Sequence, residues 1–139
     1  MSRSETFELT YTYTDPGSDP PEDITISGVT VSYPNEDVGP IVATSAQLKG
    51  DGYYGRSDGF HTIQYNTSGF IGSIKVQATL AVNPSNADWF DIYTENYLDS
   101  SEDGTTGSFI TNFTGNYVWI RTVVNAWTDG TINSIRLNH

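Results

Sequence analysis

The sequence predicts an all-β fold, an antiparallel β-sandwich of jelly-roll type with about eight or nine strands. Three observations point there. Apolar and polar side chains alternate with period two in segment after segment, and no apolar period of 3.6 residues extends beyond about two turns. Gly, Thr, Ser, Asn, Tyr and Val are abundant while Leu, Ala, Lys and Glu are scarce, which depletes helix formers and enriches strand formers. Turn signals recur every ~8–12 residues, the spacing of short strands in a sandwich or barrel.

The first strand expected is Glu5 to Thr14, with Phe7, Leu9, Tyr11 and Tyr13 on one face. Asp15 to Asp23 carries three prolines among acids and cannot continue a ladder. Ile24 to Tyr33 is the second strand, and its apolar parity switches at Gly28, as a β-bulge would make it do. Pro34 to Pro40 is a loop and Ile41 to Leu48 a third strand. Lys49 to Gly59, rich in glycine and holding Tyr53 and Tyr54, is a long surface loop within one domain or a linker.

Phe60 to Tyr65 reads as a short strand, Asn66 to Gly69 as a tight turn, and Phe70 to Val82 as a long strand. In that long strand Ile74, Val76, Ala78, Leu80 and Val82 share one face. Asp88 to Tyr93 is a short strand, Thr94 to Thr106 the longest acidic loop, and Ser108 to Phe113 another strand. Gly115 to His139 then reads as one long β-hairpin. Asp129-Gly130 between two alternating runs predicts a type I′ turn, which needs positive φ at both central residues. That turn would present Trp127 and Asp129 at an exposed tip.

A chain of 139 residues fits one domain, 1–139, in which 1–50 serves as a strand layer or arm and 58–139 as the core. Cysteine is absent, so there are no disulfides or thiolate metal sites. Seventeen acidic residues against six Lys and Arg give a net charge of −11, which disfavours nucleic acid and anionic lipid as partners. No run approaches the ~20 apolar residues of a membrane span. The first residues lack an apolar signal stretch, so synthesis in a cytoplasm is expected. The sequons at Asn66 and Asn112 then count as chance matches.

Asp99, Ser101 and Asp103 open a run that looks like a calcium loop with Gly104 at position six, yet its twelfth position is Ile110 rather than a bidentate carboxylate. A solvated acidic loop is the favoured reading, and no metal or cofactor is expected. Asp88 and Asp91 flank Trp89 and Phe90, the outline of a glycosidase pair. On a strand they face opposite sides, which favours a buried Trp89 between solvated acids. His61 and His139 are the only histidines. Ser57, Asp58 and Ser68 lie near His61 in sequence, but no Gly-x-Ser-x-Gly elbow presents a nucleophile, so an enzyme is not expected.

Aromatic residues give the strongest positive signal, because flat rings with polar edges suit sugar stacking and protein interfaces. Trp89 and Trp119 are expected in the core. Trp127, Tyr53 and Tyr54 are expected to be exposed. Arg121, on the parity of Tyr117 and Trp119, is expected in a structural ion pair.

The run Gly69-Phe-Ile-Gly-Ser-Ile-Lys-Val-Gln-Ala-Thr-Leu-Ala-Val-Asn-Pro-Ser-Asn-Ala-Asp-Trp-Phe-Asp-Ile92 resembles virion structural proteins of tailed bacteriophages, particularly those of marine cyanobacteria. Asn112 to Arg121 and Gly130 to His139 fit the same pattern, so the resemblance covers about half the chain, from Asp58 onward. It implies a non-enzymatic module of capsid decoration, neck or tail, located in the virion. Its partners would be other virion proteins and further copies of itself. An Ile-Arg strand followed by a closing hairpin is also similar to galactose-binding-like jelly rolls. The alternative to a virion role is therefore a carbohydrate-binding module of a tail fibre or adhesin, with a glycan stacked on Tyr53, Tyr54 and Trp127.

Overall fold

A computed structural model describes residues 4–15, 22–34, 40–55, 59–97 and 105–138. Ten strands, all paired antiparallel, make one continuous ladder. They are β1 (Ser4–Thr6), β2 (Leu9–Asp15), β3 (Glu22–Gly28), β4 (Val31–Ser32), β5 (Ile41–Ser45), β6 (Leu48–Lys49), β7 (Phe60–Thr79), β8 (Phe90–Tyr97), β9 (Thr105–Thr114) and β10 (Trp119–Asn138). Two 3₁₀ turns, Asp51–Tyr54 and Asn86–Asp88, are the only helical elements among the described residues. The all-β class follows from the alternation and the lack of helix formers.

β7 and β10 organise everything else. Each is twenty residues long, and they pair from Trp119 opposite Thr79 to Asn138 opposite Thr62. Midway the register shifts between Asn125 and Thr131, and φ turns positive at Gly69 (62°), Ala126 (50°) and Gly130 (89°). The paired strands bend together there, which folds the ladder into two facing layers, as strands that switch sheets do. In one layer β9 pairs with 60–67 of β7, and β1 and β4 pair with 131–138 of β10. In the other, β8 pairs with 72–78 of β7, while β5 and β6 pair with the first half of β10 and carry β2 and β3 beyond them. The Tyr93 hydroxyl on β8 reaches Thr111 on β9 and Tyr65 on β7, so the two layers meet face to face.

Two sequence expectations are corrected by this bend. The run from Gly115 onward is not a hairpin, because the chain continues through Asp129-Gly130 as one bent strand. Asn66 to Gly69 is likewise part of β7 and not a turn. Both segments carry turn chemistry, but a glycine bulge in a bent strand needs the same positive φ as a hairpin turn. A Cβ on Gly130 would lie 2.2 Å from the Gly69 carbonyl oxygen, so the close approach of the two strands requires glycine there. The parity switch at Gly28 is not a bulge either: β3 ends at Gly28, and β4 resumes at Val31 on the other layer.

Trp127 fills the inside of the bend. It is the largest fully buried side chain, with rings of Tyr11, Phe70 and Tyr33 at 5.4, 6.2 and 6.2 Å. Its Nε1–H donates to the Asp129 carbonyl at 2.9 Å. The expected exposure of Trp127 is therefore wrong: removing the hairpin tip turns an outward residue into the centre of the core. Around it, Phe7, Leu9, Ile63, Ile74, Ile120, Val124, Ile132 and Leu137 form one cluster drawn from both layers.

Candidate functional site

Along the first half of β10, Ile120, Thr122 and Val124 point into the core, which leaves Trp119, Arg121 and Val123 on the solvent face. Register sets their neighbours. Lys49 and Thr79 stand on either side of Trp119, while Gln77 stands beside Arg121 and Asp91 beside Gln77. Residues facing each other across strands interact directly, so one row reads Arg121, Gln77, Asp91.

The row is fully bonded. Arg121 Nε–H donates to Gln77 Oε1 at 2.8 Å, and Gln77 Nε2–H donates to Asp91 Oδ1 at 2.7 Å. Lys75 Nζ lies 3.4 Å from Asp91 Oδ2. The Gln77 hydrogen bond, with help from the Lys75 charge, holds the Asp91 carboxyl below its ordinary range against a smaller desolvation effect. The Arg121 guanidinium lies 4.4 Å over the Trp89 ring, and burial pulls its pKa down. Arg121 thus has an amide and an indole as partners, not the carboxylate expected for an ion pair.

A second aromatic group adjoins this row. The turn Asp51–Tyr54 is stitched to the start of β10 by Gly50 N–H to the Val118 carbonyl (2.9 Å) and Gly52 N–H to the Tyr117 carbonyl (2.8 Å). A Cβ on Gly52 would meet the Asn116 carbonyl at 2.1 Å, so glycine permits this close seat. The seat delivers Tyr53 to 5.1 Å from Trp119, with Tyr54 at 5.5 Å from Tyr53 in an edge-on pair. Lys49 Nζ sits 4.5 Å above the Tyr53 ring. Trp119 itself is pinned by Nε1–H donating to the Val82 carbonyl at 2.9 Å. A cavity of about 430 Å³ opens between Trp119, Tyr54, Lys49, Gln47, Leu48 and Glu5. Aromatic walls with a few converging polar groups are the general form of a small-ligand site.

Of the residues expected at a contact, Tyr53 and Tyr54 come together here, and Trp127 and Asp129 do not. Asp129 lies at the bend, exposed, with its carboxylate accepting the Gly130 N–H at 2.8 Å. Trp89 and Trp119, expected in the core, are half-buried on the solvent face. Arg121, Gln77 and Lys49 complete a site that Trp119 and Arg121 foreshadow in sequence, since their parity is opposite to that of Ile120 and Val124.

The remaining motifs resolve otherwise. Asp99, Ser101 and Asp103 of the calcium-like run, together with Ser57, Asp58 and His139, lie outside the described residues. Among the described residues no three His, Asp or Glu side chains converge. His61 is buried and stacked on Phe113 at 5.0 Å; its Nε2 accepts the Asp51 N–H and its Nδ1–H donates to the Gly59 carbonyl. Asp88 caps the turn Asn86–Asp88 by accepting the Ser85 N–H at 2.7 Å, and so shares no site with Asp91. No helix among the described residues is long and apolar enough to cross a membrane. A second cavity, about 420 Å³ and largely apolar, opens beside the exposed Leu80 and Phe90, with Ile92 and Tyr117 behind them.

No family model matches the chain, and no curated protein matches it in sequence. Solved structures share its fold. The K1 cleaved adhesin domain of Lys-gingipain from Porphyromonas gingivalis W83 is 7% identical over 99% of this chain and 96% of that one, with a TM-score of 0.53. The K2 cleaved adhesin domain of Lys-gingipain is 9% identical over 84% and 72%, at 0.48. A family 29 carbohydrate-binding module from Piromyces equi is 11% identical over 98% and 90%, at 0.42. Only the first is similar enough to argue from, and at such identity it establishes the β-sandwich fold alone. The fold shared with the K1 domain agrees with the expected β-sandwich, and none of these matches lends anything to the resemblance to virion proteins.

Proposed function

We propose that this chain is a non-catalytic carbohydrate-binding module that holds a glycan on the open face built by Tyr53, Tyr54, Trp119 and the Arg121 row. One observation carries the reading: Trp119 and Tyr54 wall a cavity with Glu5, Gln47 and Lys49 at its rim, and Tyr53 packs against both rings. A pyranose ring offers a flat C–H face to an aromatic wall and hydroxyls at its edge to amide, carboxylate and ammonium groups. The Trp119 ring is held by its bond to the Val82 carbonyl and the turn carrying Tyr53 and Tyr54 by backbone hydrogen bonds, which lowers the ordering cost of binding. The shared adhesin-domain fold supplies a scaffold for such a face and says nothing about its ligand.

Affinity electrophoresis through immobilised glycans tests this. Retardation is expected for the native chain and is lost in Trp119→Ala and Tyr53→Ala with the fold intact by circular dichroism. A native chain that migrates unretarded through every glycan tried would refute the reading.

The second reading is the virion structural role. It draws on the exposed apolar pair Leu80 and Phe90, each more than two-thirds exposed, which a neighbouring subunit would cover. Sedimentation of native and Phe90→Ser protein tests it: self-association lost in the variant favours it, and a monomer at every concentration counts against assembly through this patch.

A further inference from the structure

We infer that the glycan is an anionic one, a uronate or sulfated polysaccharide whose acidic groups are met by Lys49 and Arg121. This rests on the glycan-binding reading above and adds the charge of the ligand. The chain carries −11 overall, yet Lys49, Lys75 and Arg121, three of the four described Lys and Arg side chains, sit on this one face.

Two of the nearby acids are already occupied. Asp91 is held by Lys75 and Gln77, and Asp88 folds back onto Ser85. Glu5 remains at the cavity rim. Lys49 and Arg121 have no carboxylate partner among the described residues. Lys49 lies over the Tyr53 ring, while Arg121 offers Nε–H to a neutral amide and its flat face to Trp89. A guanidinium stacked on an indole and bonded at Nε is held in a fixed plane, and its Nη groups carry no hydrogen bond to a described residue. That geometry suits the paired oxygens of a carboxylate or a sulfate ester.

Spacing supports the same ligand. Trp119 and Arg121 are two residues apart on β10, about 7 Å, and Lys49 faces Trp119 directly from β6. A sugar stacked on Trp119 therefore has Lys49 beside it across the strands and Arg121 beside it along the strand. The distant acids that make the chain negative are screened beyond roughly 8–10 Å at physiological salt, whereas contact pairs persist.

Titration calorimetry with oligogalacturonate and its fully methyl-esterified form isolates the charge, because the sugar backbone is the same. A carrageenan oligosaccharide and its desulfated form serve as the sulfate arm. Either acidic form should bind roughly tenfold or more tightly than its neutral counterpart, and the stronger arm identifies the acidic group. Arg121→Gln and Lys49→Gln should each cost about tenfold, and Arg136→Gln on the other layer should cost nothing. Lys49, on a two-residue strand, keeps the test alive if Arg121→Gln fails to fold. Equal binding of charged and neutral forms overturns the anionic inference and leaves the glycan reading standing. Binding to no glycan overturns both, and so does Trp119-dependent binding of a single-stranded oligonucleotide in preference to every glycan.

Discussion

Replacing Trp127 separates a core residue from an exposed tip. The side chain is fully buried, touches the rings of Tyr11, Phe70 and Tyr33, and bonds the Asp129 carbonyl inside the bend of β10. Truncation of a buried Trp to Ala costs about 3–5 kcal/mol, because the lost contacts leave a cavity that the layers only partly close. Trp127→Phe keeps most of the ring and forfeits the hydrogen bond, so about 1–2 kcal/mol is expected. Domains of this size are stable by only about 5–15 kcal/mol, so the Ala variant sits near the edge of folding at room temperature. Urea unfolding followed by far-ultraviolet circular dichroism reads both values, provided the slope against denaturant is unchanged. The same samples distinguish the two tryptophans of β10: Trp119→Ala should lose glycan binding and keep its midpoint, while Trp127→Phe should lose midpoint and keep binding. If Trp127→Ala unfolds within about 0.5 kcal/mol of the native chain, as a surface substitution would, the bend is not packed as described.

Gly130→Ala should destabilise by about 1–3 kcal/mol or prevent folding, since the position needs φ of 89° and has no room for a Cβ beside Gly69; a native midpoint would contradict the close crossing. Thr122→Val should raise the unfolding free energy by about 1 kcal/mol, because Thr122 Oγ1 is buried without a partner among the described residues; a loss of stability would mean the hydroxyl is bonded. Asp91 is stabilised as a carboxylate, so its contribution is complete above the ordinary Asp value of 3.8 and is lost as pH falls from there through the lower folded value. Its side chain is 46% exposed, so the loss is small, under about 1 kcal/mol. Asp91→Asn should remove that part of the acid dependence in melting curves, and an acid limb identical to the native one would refute the role.

Where local chemistry decided the outcome, the sequence was readable. Alternation in Phe7, Leu9 and Tyr11, and in Ile74, Val76 and Ala78, places the same side chains in the core that the structure buries. The exposure of Tyr53 in its glycine loop was also legible. The misread hairpin and the misread turn at Asn66 to Gly69 share one cause. A glycine with positive φ between two alternating runs has the same local form in a hairpin turn and in a bulge. Only the partner strand, about sixty residues away, decides which one forms. That ambiguity misplaced Trp127, which the structure buries. Trp119 and Arg121 were misjudged because apolar residues stand on both parities here, Tyr117 and Val123 on theirs and Ile120 and Val124 on the other. Their neighbours Gln77 and Lys49 come from strand pairing, which sequence spacing does not contain.

The shared pair of long strands leaves the protein without a seam. Since β7 and β10 are the central strands of both layers, neither layer can peel away while the other keeps its middle. Unfolding should then pass through a single transition, with amides at Val76 and Ile135 exchanging at the same global rate although they belong to opposite layers. The cost falls on folding speed. Residues 60–79 must find residues 119–138 before either layer has a centre, and a nucleus that spans such a loop forms slowly.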